Sequence, residues 1–319
     1  MAIAPAREGV VIVPQALDAE VPRPQRRRKR GGWVFHVIMM PLALLWIAPL
    51  VFVVLVAFRS FSDITSNGLG ALPASFSLEG FVTVFTESLV GSSLINSAIV
   101  TAVTVFFSLL LASWAAFALS RFDIPFRRGI LLLMLAGNLL PPQILLIPVS
   151  RITDALGIYD SLFALIVVQV GFGLGFYTFV LHGFMRSIPA EIFEAARVDG
   201  AGELRTYLRI VLPLCRPSLA ALGALATTWI WNDLIWAMTV LRTETKFPIT
   251  AALLNIQGGF VSQWNVVAAG TVIAAIPTAI VFFAFQKHFV AGLTVGSNNS
   301  RPLGQEGPVN AVDTAHSGH

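Results

Sequence analysis

Apolar residues in this chain come in long runs and seldom alternate with polar ones. Six stretches, roughly 35–58, 94–119, 129–150, 161–183, 217–240 and 265–286, are almost continuously apolar. A helix rising 1.5 Å per residue needs about 20 residues to cross a hydrocarbon layer about 30 Å thick, so each run is long enough to span a membrane. The pattern predicts an all-α, polytopic protein with six transmembrane helices. An even number of spans puts both termini on one side.

The runs differ in regularity. The third reads LLLMLAGNLLPPQILLIPVS, where Gly137, Asn138, Pro141, Pro142 and Pro148 interrupt the apolar pattern. Proline removes a backbone donor and clashes with the preceding turn. Carbonyls freed at membrane depth have to be buried in protein or line a wet cavity. Asn138 and Gln143 are therefore either pathway residues or interhelical hydrogen-bonding groups. The fifth run contains TTWIWNDLIWAM, and an acid such as Asp233 is costly there unless paired, protonated or hydrated. Asn232 and Asp233 are candidates for a polar pathway or gate. Pro277 marks either a kink or a packing position in the sixth run.

Polar segments frame the runs. Residues 1–34 are expected to be a disordered basic tail and 288–319 a second tail, both with little to bury. Residues 59–93 and 241–264 read as polar loops. Residues 94–287 form the core domain, which includes a charged segment at 186–216.

Composition supports a membrane protein: 56% of residues are hydrophobic, 12% are charged and mean hydropathy is +0.78. Five histidines and the single Cys215 leave little material for a metal site and none for an internal disulfide. Charge sets the orientation. With the N-terminus inside, 17 of the 21 basic residues lie on the cytoplasmic side, and only Arg59, Arg151, Arg242 and Lys246 lie outside. That bias is the positive-inside rule, and the block RPQRRRKR before the first run reads as an anchor in an anionic leaflet.

Inside this oily chain, EAARVDGAGELRTYLRIVLP at 194–213 is charged and broken by two glycines. Pro189 suits the first turn of a helix, and Glu191 and Glu194 lie where a helix N-terminus favours negative charge. Asp199-Gly200 is a natural stop. A second short helix follows, with Leu204, Tyr207, Leu208 and Val211 at i, i+3, i+4 and i+7 on one apolar face. The result is a compact cytoplasmic knob. It either turns the chain back or docks another protein. It has no nucleophile arrangement, no metal-ligand spacing and no phosphate-cradling glycine loop.

The segment resembles the EAA signature of membrane subunits of bacterial binding-protein-dependent ABC importers. The match is carried by Glu194-Ala195-Ala196, Asp199-Gly200, Ile210, Leu212 and Pro213. The strings at 96–128, 141–166, 227–238 and 274–296 are similar to the maltose-type carbohydrate branch. The resemblance implies the type I ABC importer membrane-domain fold and a coupling role for Glu194, Ala195, Ala196, Asp199, Gly200, Leu204, Leu208, Ile210, Leu212 and Pro213. In that role Glu194 pairs with a basic residue of the ATPase.

It also implies four partners: a homologous permease subunit, two cytoplasmic ATPase subunits and an extracytoplasmic solute-binding protein. The chain itself would not be an enzyme and would bind no cofactor, since ATP and Mg would sit in the ATPase subunits. The cargo would be a sugar or related solute, and the location the bacterial plasma (inner) membrane. Asn255, Gln257 and Trp264 would either form the outer mouth or contact the solute-binding protein. Trp229, Trp231 and Trp236 form either an interfacial belt or stacking faces for a sugar. The alternatives are a non-sugar importer of the same kind and an ion-coupled transporter with Asp233 carrying a proton.

Overall fold

The computed structural model describes residues 32–259 and 263–297. Among them every regular element is helical. In chain order they are α1 (Gly32–Ala57), α2 (Phe61–Asn67), α3 (Glu79–Glu87), α4 (Val90–Arg121), α5 (Arg127–Leu139), α6 (Pro142–Ala155), α7 (Leu162–Arg186) and α8 (Ala190–Val198). There follow α9 (Glu203–Thr206), a π-helical turn (Tyr207–Val211), α10 (Leu212–Leu214), α11 (Arg216–Trp231), α12 (Ile235–Val240), a 3-10 turn (Glu244–Lys246), α13 (Ile249–Gly259) and α14 (Trp264–Ser297).

The chain divides into two units at Pro49. In the first, α1 is uniformly apolar and its described side chains up to Pro49 are exposed. Everything from Leu50 onward belongs to the second.

Four helices are long and apolar enough to cross a membrane singly: Phe35–Ala57, Val90–Arg121, Leu162–Arg186 and Trp264–Phe285. Two further candidates are bent pairs, each a broken span or a re-entrant segment. Arg127–Leu139 meets Pro142–Ala155 at 99°, and Glu203–Leu214 meets Arg216–Trp231 at 71°. Up to six crossings are counted when each bent pair is taken as one, but the second pair does not coincide with the expected fifth run, because its Glu203–Leu214 arm lies in the charged segment before it. The third, expected as one helix at 129–150, is two half-helices. Leu140 and Pro141 between them adopt extended backbone, which fits the restriction proline places on the residue before it. The fifth, expected at 217–240, stops at Trp231 and resumes at Ile235.

The expected loops also contain structure. Residues 59–93 fold into α2 and α3, both packed on α14. Residues 241–264 contain α13, whose Ile249, Ala252 and Ile256 are buried at helical spacing, so the segment is a packed helix instead of a polar loop. Helix α14 passes through Pro277 and continues to Ser297, which makes the first ten residues of the expected 288–319 tail helical. Residues 32–34 of the expected 1–34 tail already belong to α1, and residues 1–31 and 298–319 lie outside the described residues.

Helix α4 organises the second unit. Its buried face is mostly small: Ser97, Thr101, Thr104, Ser108, Ala112 and Ala116. Small side chains let helix backbones approach closely where lipid supplies no hydrophobic drive. Along this face α4 packs on α7, α11 and α13. The partner faces are larger and apolar, with Leu165, Tyr177, Leu181 and Met185 buried on α7.

On the face where α1 ends and α4 begins, a fully buried Arg59 holds the connecting segment together. Its Nε donates to Asp63 Oδ2 at 2.6 Å, and Nη1 donates to the carbonyls of Gly68, Leu69 and Ala71 at 3.1, 3.0 and 2.9 Å. A buried guanidinium persists only when its donors are met. Arg59 and then Asn67 hold the Asp63 carboxyl down to about 2. Because the folded value lies below the unfolded one, the stabilisation is complete above the ordinary carboxylate range and is lost only as pH falls through about 2. Arg59→Met is expected to make residues 59–77 protease-sensitive at neutral pH, while the wild-type segment resists cleavage at both pH 7 and pH 5. Equal protection of both proteins would show that the knot does not hold the segment.

Candidate functional site

Two places bring chemistry-bearing residues together. The first is the elbow between α7 and α11. Helix α8 starts directly after Pro189 and ends in a Schellman arrangement, in which Gly200 N–H reaches Arg197 O at 3.0 Å and Ala201 N–H reaches Ala196 O at 2.9 Å. This closure needs a left-handed residue, and Gly200 has φ +73. An L-residue there would cost about 1–2 kcal/mol.

Helix α8 buries Phe193 and Ala196 and exposes Glu191, Glu194, Ala195 and Asp199. Glu194 has no hydrogen-bond or ion-pair partner among the described residues, whereas Arg197 and Glu203 form an exposed pair at 3.6 Å. A pair that open contributes little.

The four-residue apolar face expected beyond Gly200 is split. Tyr207 and Val211 are buried, but Leu204 and Leu208 are 69% and 50% exposed. The cause is the π-helical turn at Tyr207–Val211, whose wider winding changes which positions share a face. Ile210, Leu212 and Pro213 are half-buried at the junction with α11. Glu194, Leu204 and Leu208 thus form an exposed charge and two exposed apolar groups on a knob whose other side is core.

The second place is a cavity of about 180 Å³ beside the middle of α7, lined by Asn138, Gln169, Phe172, Gly173, Phe176, Tyr177, Trp229, Ile230, Asp233 and Trp236. It sits where three segments meet: the end of α5, the centre of α7 and the break between α11 and α12. Asp233 is paired. Gln169 Nε2 donates to its Oδ2 at 2.9 Å, and the N–H groups of Trp236 and Ala237 approach its carboxylate at 3.4 and 3.3 Å. The carboxylate therefore caps α12 as well as facing the cavity. Thr104 Oγ1 donates to Gln169 Oε1 at 3.5 Å and ties the amide back to α4.

Aromatic rings wall the cavity. Phe172 and Trp236 stack with centroids 4.4 Å apart, and Phe176 and Trp229 lie 5.4 Å apart. The cavity therefore presents amides, a carboxylate and flat apolar faces, the mixture of apolar walls and few placed polar groups typical of small-molecule sites.

The sequence candidates divide. Asn138 and Asp233 share the cavity. Gln143 lies in a separate cleft with Ser150, Arg151, Tyr159 and Arg242. Asn232 points elsewhere, its Nδ2 donating to Thr228 O at 2.8 Å and Thr278 Oγ1 at 3.5 Å. Asn255 lines another cleft with Glu87, Ser88 and Glu244, and Trp264 is not part of it. The side chain of Gln257 lies outside the described residues.

Trp231 does not form part of a belt. It is buried, and its Nε1 donates to Ala274 O at 3.0 Å. Trp229 and Trp236 face the cavity. Sequence reasoning missed Gln169 and Tyr177. The available signal was a lone amide in the apolar run LIVVQVGFGLGF. No group of three or more His, Cys, Asp or Glu side chains able to hold a metal occurs among the described residues.

Comparison with known proteins adds the following. Residues 108–295 match the model of a family described as binding-protein-dependent transport system inner membrane component. The chain is 34% identical over 265 residues to the probable ABC transporter permease protein YurM of Bacillus subtilis (strain 168), covering 83% of this chain and 87% of that one. It is 30% identical over 268 residues to the arabinooligosaccharides transport system permease protein AraQ of Halalkalibacterium halodurans, covering 83% and 95%. Among solved structures it is similar to a chain of a bacterial ABC transporter involved in the import of the acidic polysaccharide alginate. The TM-score is 0.72 and the identity 27%, over 84% of this chain and 99% of that one.

Proposed function

This chain belongs to the family of binding-protein-dependent transport system inner membrane components, and on that premise we propose that it carries a carbohydrate inward as half of a two-subunit pathway. It is a permease subunit of an ABC importer with the type I membrane-domain fold. The observation that carries the sugar reading is the cavity at the centre of α7. Amides and a carboxylate on Asn138, Gln169 and Asp233 meet the hydroxyl groups of a saccharide, and the rings of Trp229 and Phe176 meet its apolar C–H face. The naming of AraQ for arabinooligosaccharides and the alginate transporter's acidic polysaccharide support the same class.

The positive-inside count puts the elbow in the cytoplasm and the Arg59 face outside. A second, homologous permease subunit closes the pathway, and a solute-binding protein delivers cargo at the Arg59 face. Two ATPase subunits bind ATP and Mg and engage the elbow. Glu194 supplies the charge for a basic residue of the ATPase, and Leu204 and Leu208 supply apolar contact beside it. ATP-driven closure moves the elbows and opens the spans toward the loaded binding protein, and hydrolysis resets them.

The test is to purify the subunit with its native partners, reconstitute the complex and measure ATP hydrolysis with the binding protein loaded from a panel of saccharides, polyols and non-carbohydrate solutes. Stimulation by one saccharide class is expected. Stimulation by a non-carbohydrate alone would overturn the sugar reading. Uptake by this chain alone, driven by a proton gradient, would overturn the importer assignment in favour of the ion-coupled alternative.

A further inference from the structure

Three residues of α4 spaced four apart, Ser113, Phe117 and Arg121, hold the elbow. Ser113 Oγ and Tyr207 Oη are 2.6 Å apart and buried. The Phe117 ring lies 5.2 Å from the Tyr207 ring. The Arg121 guanidinium sits 3.2 Å above the centroid of Phe193, and its Nη2 donates to Met185 O at 2.8 Å and Ile188 O at 3.4 Å. Residues four apart share a helix face, so this is one stripe. It grips both halves of the elbow, Phe193 on α8 and Tyr207 on the π-turn. A guanidinium over an aromatic face adds cation–π attraction to its hydrogen bonds. The elbow continues covalently into α7 and, through α10, into α11, and either helix follows it through the chain. Helix α4 has no such link, and these contacts supply one.

The other end of α4 is also tied. Asn96 Nδ2 donates to Thr245 O at 2.9 Å and to Phe247 O at 3.2 Å, and Ser97 Oγ accepts from Ile249 N at 2.8 Å. These bonds hold the segment that enters α13. The 32 residues of α4 form one uninterrupted helix, about 48 Å long at 1.5 Å per residue. Like α7 it runs as a single span, whereas the α5–α6 and α9–α11 segments are bent.

We propose that α4 is a transmission rod: the Ser113–Phe117–Arg121 stripe takes up displacement of the elbow, and Asn96 and Ser97 deliver it to the Thr245–Ile249 segment on the opposite face. This rests on the coupling role proposed for the elbow and specifies its route through the membrane. A rigid element held at both ends is a physical basis for coupling between distant sites, and it predicts that removing either hold has the same consequence.

The experiment uses the reconstituted complex with its ATPase and binding protein, and compares Arg121→Lys at one end of α4 with Asn96→Ala at the other. Both variants are expected to recruit the ATPase and keep basal ATP hydrolysis, while stimulation by loaded binding protein falls about tenfold, within the usual range of coupling between sites. The double variant is expected to be no worse than either single one, since both interrupt one path. A spin label at Thr245 is expected to shift on ATP addition in the wild type and to stay still in both variants.

Normal stimulation in Asn96→Ala, or additive losses in the double variant, would overturn the rod. If Arg121→Lys fails to assemble, the Asn96→Ala arm and the Thr245 label decide alone. A wild-type complex that recruits no ATPase would instead overturn the coupling role of the elbow, which separates the two failures.

Discussion

Glu194→Lys is expected to abolish uptake and release the ATPase subunits while the chain still inserts and folds. Glu194 is exposed and has no partner within the described residues, so its replacement disturbs no internal contact. The inward side of α8, Phe193 and Ala196, is untouched by the change. At a docked interface the same position becomes desolvated, and breaking a buried interfacial charge pair typically costs about 2–5 kcal/mol. At about 1.4 kcal/mol per factor of ten, that is roughly a thirtyfold to several-thousandfold loss of affinity, and reversal adds like-charge repulsion. Co-purification of ATPase subunits with the membrane complex, together with uptake into proteoliposomes, measures the effect. Intact recruitment and uptake would falsify the assignment of Glu194 to the partner. Glu194→Gln is expected to fall between the two, because it keeps the shape and loses the charge.

The second large effect is expected at Gly175. A Cβ there would lie 2.1 Å from Met134 O, 2.7 Å from Met134 C and 2.9 Å from Asn138 Nδ2. Two of these atoms belong to the α5 backbone, which cannot swing aside as a side chain can. Gly175→Ala therefore forces α5 away from α7 and moves Asn138 out of the cavity. Overpacking a well-packed interior usually costs about 1–3 kcal/mol, and contact with a main-chain oxygen belongs at or beyond the upper end. The expected result is a lower unfolding temperature for the purified complex and loss of transport. The control is Gly171→Ala on the same helix, where an added Cβ meets nothing within 4 Å. Equal stability of the two variants would show that α5 and α7 do not depend on a glycine at this contact.

Much of the fold was legible because membrane spanning is a composition problem. Long apolar runs could be counted, and Pro141-Pro142 announced a break in the third. The size of that break was not legible, because a 99° bend is set by what α5 and α6 pack against, α7 for one and α12 for the other. Residues 241–264 misled in the opposite direction. Their polar residues suggested a loop, yet Ile249, Ala252 and Ile256 make a short buried face that becomes visible only once α4 and α14 are there to cover it. The elbow was read in outline from Pro189, Gly200 and Pro213. The split of its apolar face was not, because a π-helical turn leaves no local mark in the residues Tyr207–Val211.

For the cavity, Asn138 and Asp233 stood out as polar groups in apolar runs. Asn232, next to Asp233, stood out equally and faces away: the two lie in the break between α11 and α12, where Asn232 bonds back to Thr228 and across to Thr278 while Asp233 turns to the N–H groups of α12. Gln169 drew no attention because a single amide in a long apolar helix has no meaning until its partner, 64 residues further along the chain, is beside it.

By itself, then, the sequence determined an all-helical membrane subunit, the side its charges favour, and the place of the charged knob. Each of these follows from sums over residues, namely hydropathy, charge and the punctuation of Pro and Gly. Tertiary structure alone decided which polar groups converge, which leucines of the knob stay exposed, and that α4 joins the knob to the opposite face. Those are facts about distance between residues far apart in the chain, and only packing fixes them.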